Sequence, residues 1–406
     1  MKKYAGFAIG IVLTFSATAQ AESKADGACL TYDFSQMTDI KTAITHSGGD
    51  YAPAYEALMT KATGALKHAT YSVTEKTLLP ASGDKHDYYS FGPYWWPNPK
   101  TKSTLPYIRK DGQINPSSKT DDTDSKRMVQ FANDVRVLSL AAFYSEDARF
   151  AVKANALLNT WFLDKKNRMN PNLNYAQAIP GVVNGRGIGI IDTRVLIDVA
   201  DSIALLHHTG NLTDNDFKAY QRWYAEYTRW LLNSPNGREE GNWYNNHGAW
   251  YDAQVTAFSL FTGDKKQATQ QIETFKYRHL AAQVNAKGEL PAELERTRSF
   301  HYTNFALAAY ARMGRYGEIA GNDLWGFELD GRKMENAFAV VAQQVGKPAA
   351  QWRYPELKFT PDEATGPLLA AARAYNSEAF RNSAAALVKE NPTDINRLMP
   401  GTALVN

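Results

Sequence analysis

The stretch MVQFANDVRVLSLAAFY, residues 128–144, decides the fold. Met128, Phe131, Val135, Leu138 and Ala142 recur at steps of three and four, the spacing of one face of an α-helix. The same period returns in 191–206, with Val195, Val199, Ile203 and Leu206. It returns again in 214–232, with Phe217, Tyr220, Tyr224, Tyr227 and Leu231 behind Thr213 as a predicted N-cap. Further helices are predicted over 249–261, 265–283, 300–313, 333–345, 366–375 and 377–390. Alternating runs are scarce, and short strands, for example near 357–359, would be minor. Modest helices with broad apolar faces and short turns must bury those faces against one another as repeated hairpins. No strict repeat period is present, which disfavours a regular TPR or HEAT array. The expected fold is all-α, an (α/α) toroid: an incomplete or closed barrel of helical hairpins around a central cleft. Segments 84–127 and 164–190 are too rich in Pro, Gly, Asn and Tyr for helices. They are expected to be long loops at that cleft.

The first residues have the pattern of an export signal. Lys2 and Lys3 precede an apolar run from Ala8 to Phe15 and a small-x-small site at Ala19-Gln20-Ala21. The apolar run is short for a bilayer span, which disfavours a retained anchor. Charged Glu22, Lys24 and Asp26 separate Cys29 from that run and disfavour lipidation there. The expectation is a signal peptide over 1–21, one domain over 22–406, and a periplasmic or secreted protein with no membrane span. Cleavage would remove Lys2 and Lys3 and no acid, so 45 basic side chains become 43 against 42 acidic. A nearly neutral chain offers no field for nonspecific nucleic-acid binding. Cys29 is the single cysteine, so no intramolecular disulfide can form, and stability must come from packing of a chain that is 44% hydrophobic. A monomer is expected.

WYNNHGAWY, residues 243–251, is chemically the most distinctive stretch. It sets Asn245, Asn246 and His247 beside Trp243, Tyr244, Trp250 and Tyr251. About 50 residues on, ERTRSFHY, residues 295–302, adds Arg296, Arg298, His301 and Tyr302. Carboxamides, guanidinium groups, an imidazole and a phenol can neutralise a carboxylate and move a proton, which is what β-elimination from a uronic acid polymer requires. If 298–302 is one helical turn, Arg298 and Tyr302 share a face, and a nearby cation lowers a phenol from its ordinary value of about 10. An ordinary ion pair of Arg296 with Glu295 or Glu289 is the plain alternative. In YYSFGPYWWPNP, residues 88–99, three prolines forbid a helix. Tyr94, Trp95 and Trp96 can stack on sugar faces, or the rings can pack as core. Tyr175, Gln177 and Arg186 lie in a segment whose glycines lack the Lys-Ser/Thr of a phosphate loop. That segment is read as a turn letting Arg186 approach a ligand, with plain turn geometry as the alternative.

No cofactor and no metal is expected. Asp121-Asp122-Thr123-Asp124 lacks the glycine and distal glutamate of an EF-hand and reads as a solvated turn or helix start. His207-His208 sits where cations favour a helix C-terminus. No His-x-x-x-His or cysteine cluster suggests zinc.

Residues 243–251 resemble the Asn-Asn-His signature of the alginate lyase superfamily. Residues 90–97 and 174–181 are similar to blocks of its broader branch, polysaccharide lyase family 38, which is related to family 5. The resemblance spans roughly 50–350 and implies an (α/α) toroid with metal-independent cleavage of 4-linked uronans. By that resemblance and by the chemistry, Tyr302 is expected to protonate the departing O4. His247, Asn246 and Arg296 complete the catalytic group, the latter two as neutralisers of the C6 carboxylate, with Arg186 or Arg298 as weaker choices. Asn245, Arg186, Arg298, Tyr94, Trp95, Trp96, Tyr175, Gln177, Trp250 and His301 are expected to bind substrate. The expected partner is an anionic polysaccharide, mannuronate-rich alginate, with glucuronan as the alternative. A hydrolase would use two carboxylates, such as Glu240 with Glu289 or Glu295; a uronan-binding protein would use the aromatics and arginines without turnover.

Overall fold

The structure, a computed structural model, describes residues 31–47 and 49–400. The expected leader over 1–21 and Cys29 lie outside the described residues. The helices, in chain order, are α1 (Phe34–Ser47), α2 (Ala52–Ala65), α3 (Ser125–Ser145), α4 (Ala148–Phe162), α5 (Leu196–His208), α6 (Asp214–Asn233), α7 (Pro235–Gly241), α8 (Asn246–Phe261), α9 (Lys265–Phe275), α10 (Ala281–Gln283), α11 (Pro291–Leu294), α12 (Ser299–Ala320), α13 (Met334–Ala342), α14 (Thr365–Tyr375) and α15 (Glu378–Glu390).

Burial sorts these helices into two layers. In α3, 16 of 21 residues are buried, and in α8, 14 of 16. In α6 only six of 20 are, on the stripe from Tyr220 to Leu231. A helix apolar all round must be covered on all sides, whereas a striped one lies against a single neighbour layer. Accordingly α3, α5, α8, α12 and α14 pack side by side as an inner arc, with α2, α4, α6, α9, α13 and α15 outside it. Aromatic rings lock the layers: Phe131 of α3 stacks on Trp161 of α4 at 4.5 Å, and Phe162 meets Trp223 of α6 at 4.7 Å. Fully burying a ring of this size contributes about 2–3 kcal/mol. Both ends of the described chain fasten onto the arc. Tyr144 of α3 donates to the Leu398 carbonyl at 2.6 Å, and Asp33 N–H donates to that of Pro400 at 2.8 Å. The Thr31 hydroxyl meets that of Tyr316 in α12, and its N–H donates to Asp201 in α5. The architecture is the expected α/α toroid.

Several boundaries differ from expectation. The helix expected over 191–206 is a 3₁₀ run, Gly187–Val195, followed by α5. The one expected over 265–283 breaks at a π turn, Lys276–Leu280. α8 begins three residues early and α12 runs on to Ala320. At 357–359 there is no strand, only one bridge between Arg298 and Glu356 nearby. The strands come instead from the two irregular segments: β1 (Tyr89–Phe91) runs parallel to β4 (Tyr175–Ala178), and β2 (Trp95–Trp96) antiparallel to β3 (Ile108–Arg109). Of the two readings of residues 121–124, solvated turn or helix start, Asp124 bears out the second, standing directly before α3. It is fully buried, 3.0 Å from Lys76 Nζ and 3.1 Å from Arg127, and it accepts the Tyr89 N–H. It thereby ties β1 to the start of α3, so the loops lie over the N-terminal ends of the inner helices.

Candidate active site

Asn245 opens α8. Its backbone is extended and its side-chain oxygen accepts the His247 N–H at 3.1 Å, so the carboxamide predicted to bind substrate has a capping task. Gly248 follows because a Cβ there would stand 2.2 Å from the Trp243 carbonyl and 2.3 Å from the His279 ring. The two side chains before it, Asn246 and His247, face fixed partners. His247 Nδ1 meets Glu240 at 2.8 Å, and Glu240 is completely buried. A carboxylate on Nδ1 favours the Nδ1–H tautomer and leaves the Nε2 lone pair for a ligand. Asn246 donates from its backbone N–H (2.6 Å) and its side-chain nitrogen (2.8 Å) to buried Glu293. Burial pushes both carboxyls above their ordinary values, while His247 and Asn246 pull them back.

Glu293 lies three residues before Arg296, whose guanidinium sits 3.7 Å from the centre of the Tyr302 ring. Arg296 is not paired with Glu295 or Glu289. It holds Asp111 in a two-pronged contact, at 3.1 and 2.9 Å, and these bonds keep the Asp111 carboxyl low despite burial. Tyr302 is 6% exposed and shares a short hydrogen bond with the Tyr94 hydroxyl. Here the expectation reverses. Burial, and then the Tyr94 hydroxyl, push the Tyr302 phenol well above its ordinary value, against the pull of Arg296. The cation over the ring is also Arg296, not Arg298. Arg298 is the N-cap of α12 with φ −128° and ψ 60°, so the i to i+4 face rule does not apply to it. Its guanidinium and His301 Nδ1 both meet Glu363, at 3.3 and 3.0 Å.

The second wall comes from the loops. Gln177 holds a left-handed backbone, φ 48°, which costs a non-glycine residue energy and persists only when clamped. The clamp is the Ser90 hydroxyl on its N–H at 2.8 Å and Asp192 on its amide at 2.9 Å. Asp192 also accepts from Tyr88 and Ser90. Arg186 then donates twice to Gln177, at 3.1 and 3.0 Å, and lies 5.9 Å from the Trp95 ring centre. Gly92 makes room, since a Cβ would meet Trp95 at 2.7 Å and Arg186 at 3.0 Å. Tyr175 is half-buried on β4. The aromatic segment divides its rings: Tyr88 is buried core, Tyr94 reaches Tyr302, and Trp96 donates to the Gln113 carbonyl under Lys110. Trp250 does not join the group. It is 3% exposed, with its N–H on the Phe305 carbonyl.

The site thus joins Asn246, His247, Arg296, Tyr302 and Tyr94 directly, with Gln177, Arg186 and Trp95 on the facing loops. Sequence reasoning missed Glu293 and Asp111, and named Glu240 only as half of a hydrolase pair. Glu240 is instead sealed behind His247, and Glu289 is engaged by Asn285, Tyr354 and Arg353. Among the described residues no group of three or more His, Cys, Asp or Glu side chains is placed to hold a metal ion, and no helix is long and apolar enough to cross a membrane.

A family model for alginate lyases matches residues 72–351. No curated protein matches. Among solved structures, an alginate lyase from Bacteroides ovatus superposes with a TM-score of 0.88 at 34% identity, covering 92% of this chain and 99% of that one. A variant of alginate lyase A1-III complexed with tetrasaccharide gives 0.61 at 16% identity, covering 89% and 91%. Alginate lyase A1-III from Sphingomonas species A1 gives 0.52 at 14%, covering 81% and 90%. At these last identities only the fold is shared. The matched span takes in both cleft walls, from the aromatic segment to Tyr302, so the polysaccharide lyase built on this toroid belongs to the alginate lyase family.

Proposed function

We propose that the protein cleaves mannuronate-rich alginate by β-elimination, in an endolytic manner, as a monomer outside the cytoplasm. The observation that carries this is the Tyr302 phenol, its hydroxyl on Tyr94 and its ring under the Arg296 guanidinium, beside two side chains, Asn246 and His247, each anchored from behind by a buried carboxylate. In mannuronate, C5–H and O4 lie on one face of the ring, so one oxygen can serve both. The Tyr302 phenolate takes the proton from C5, and the electron pair spreads onto the C6 carboxylate. As the C4–O4 bond breaks, Tyr302 returns the proton to O4, the C4=C5 double bond forms, and the phenolate is regenerated. Charge building on C6 requires donors aimed at it. Arg186 supports that role best, because its partners, Gln177 and Trp95, are neutral, whereas Arg296 is already paired with Asp111. His247 Nε2 assists at the carboxylate, and on guluronate, where C5–H lies on the other face, it is the base. The Lys2 to Ala21 pattern supports export.

Rates on polymannuronate, polyguluronate and glucuronan, followed by ultraviolet absorbance of the unsaturated product, test the proposal. Polymannuronate should be fastest, with mid-sized oligosaccharides appearing first. A preference for glucuronan would overturn the substrate and keep the mechanism. New reducing ends without absorbance would mark a hydrolase.

A further inference from the structure

A second cavity of about 450 Å³ lies among the inner helices, lined by α2, α3, α5, α8 and α12 together with residues 194 and 395. None of Tyr302, His247, Asn246 or Arg296 lines it. Its charged residues are Lys61, Arg136, Arg194 and Arg312 against Asp134 and Asp198, with His68 at the rim. Both carboxylates are taken: Asp134 by His68 and Tyr71 at 2.7 Å each, and Asp198 by Arg312 at 2.6 Å. Arg136 is only 9% exposed, yet among the described residues it meets no carboxylate; it donates once, to Asn133 at 3.3 Å, and its Nε has no acceptor. Arg194 has only the Ile191 carbonyl at 3.3 Å and the Phe305 ring face at 5.1 Å. Neither guanidinium has a carboxylate within hydrogen-bond reach, Asp192 and Asp198 act on Arg194 only from a distance, and two such groups facing one space favour an anion there.

The rest of the lining is apolar: Val129, Val137, Val195, Ile395 and Trp250. Because the Trp250 N–H is spent on Phe305, the ring presents only its apolar surface there, with Arg312 5.5 Å from its centre. Two guanidiniums with no carboxylate in hydrogen-bond reach, set over apolar side chains, suit a carboxylate carried on a pyranose, and the volume admits a mono- or disaccharide. We propose that this cavity is a second binding site, for a small uronate saccharide. It also accounts for Trp250, which the sequence marks for a ligand and the catalytic cleft leaves out.

Calorimetric titration of the whole protein with monomeric glucuronate, which has no glycosidic bond to cleave, tests this independently of turnover; inorganic phosphate is the second probe. Binding should persist in Arg186→Ala, whose change lies in the catalytic cleft. It should weaken at least tenfold in Arg136→Met and in Lys61→Glu. Lys61 is exposed on α2, so that variant keeps the test valid if Arg136→Met fails to fold. Binding abolished by Arg186→Ala but untouched by Lys61→Glu would place the uronate in the catalytic cleft alone and overturn the proposal. Phosphate binding without uronate binding would reduce the cavity to an ion site and overturn the saccharide assignment. No binding of either probe overturns it outright.

Discussion

Glu240→Gln tests how His247 works, because it keeps the shape and removes only the charge. In the wild type a fully buried carboxylate sits 2.8 Å from Nδ1 and fixes which ring nitrogen carries the proton. Exchanging a charge-assisted hydrogen bond for a neutral one loses about 1–2 kcal/mol, which corresponds to roughly 5- to 30-fold in rate. That should be the whole loss in kcat on polymannuronate if His247 only orients and assists while Tyr302 carries the proton. On polyguluronate, where the proposed mechanism makes His247 the base, a wrong tautomer removes the base itself, and losses of about 10⁴-fold are known for an equivalent change in a serine protease triad. The assay is initial-rate absorbance on the two block polymers, with circular dichroism and Tm to confirm folding. Removing a buried charge should leave Tm unchanged or slightly higher. Unaltered turnover on both polymers would refute the reasoning, since the buried carboxylate would then serve nothing at the site. A 10⁴-fold loss on polymannuronate would make His247 the base there too and displace Tyr302.

Tyr302→Phe should lower kcat about 10³-fold while costing only about 1 kcal/mol of stability for the Tyr94 hydroxyl left without its partner; turnover near wild type would remove Tyr302 from the mechanism. Because the phenol titrates well above its ordinary value, phenolate is the minority form at neutral pH and grows as pH rises. Consequently kcat/KM should climb by up to about tenfold per unit through the neutral range, and a flat profile between pH 6 and 9 would contradict the phenolate step. Arg186→Met should cost about 1.5–3 kcal/mol of carboxylate stabilisation, seen in kcat and kcat/KM because the charge grows in the transition state, and an unchanged kcat would hand that role to another donor. Asp252 is pushed up by burial to about 7, so the folded state holds a proton that the unfolded state releases near pH 4. Its contribution to stability is present below that pH and is lost as pH rises to about 7, on the order of 4 kcal/mol; Asp252→Asn should flatten the fall in Tm between pH 5 and 7, and an equally steep fall in the variant would refute the assignment.

What could be read in the sequence depended on whether the signal was local. The stripe from Met128 to Ala142 is local, and α3 is where it was expected. The stripe of Phe150, Ala154, Leu157 and Trp161 in α4 is local too, yet no helix was expected there. By contrast α2, APAYEALMTKATGA, buries Ala54, Leu58, Ala62 and Ala65, and alanines give little contrast with their neighbours. The chemistry of Asn246, His247, Arg296 and Tyr302 was legible as residue types, but their partners were not. Asp111 reaches Arg296 across 185 residues and Glu293 reaches Asn246 across 47, and no spacing rule connects them. The weak signals were Glu240, seven residues before His247, and Glu293, three before Arg296. The expectation that Arg298 shares a face with Tyr302 failed for a definite reason: a helical face was assumed one residue before the helix begins.

Burial explains why those unseen carboxylates are there. A cleft deep enough to exclude water from a developing enolate also strips water from its own cations. Two arginines and two histidines at the site accordingly have an acid behind them: Asp111 on Arg296, Glu240 on His247, Glu363 on Arg298 and His301. An arriving uronate then meets side chains that are fixed in place but largely spent as charges. Arg186 differs, because the strained Gln177 turn supplies it with neutral oxygens instead of an acid. In the proposed mechanism that strained turn holds a guanidinium in place without a direct ion pair, which keeps Arg186 available to the group whose charge grows during the reaction.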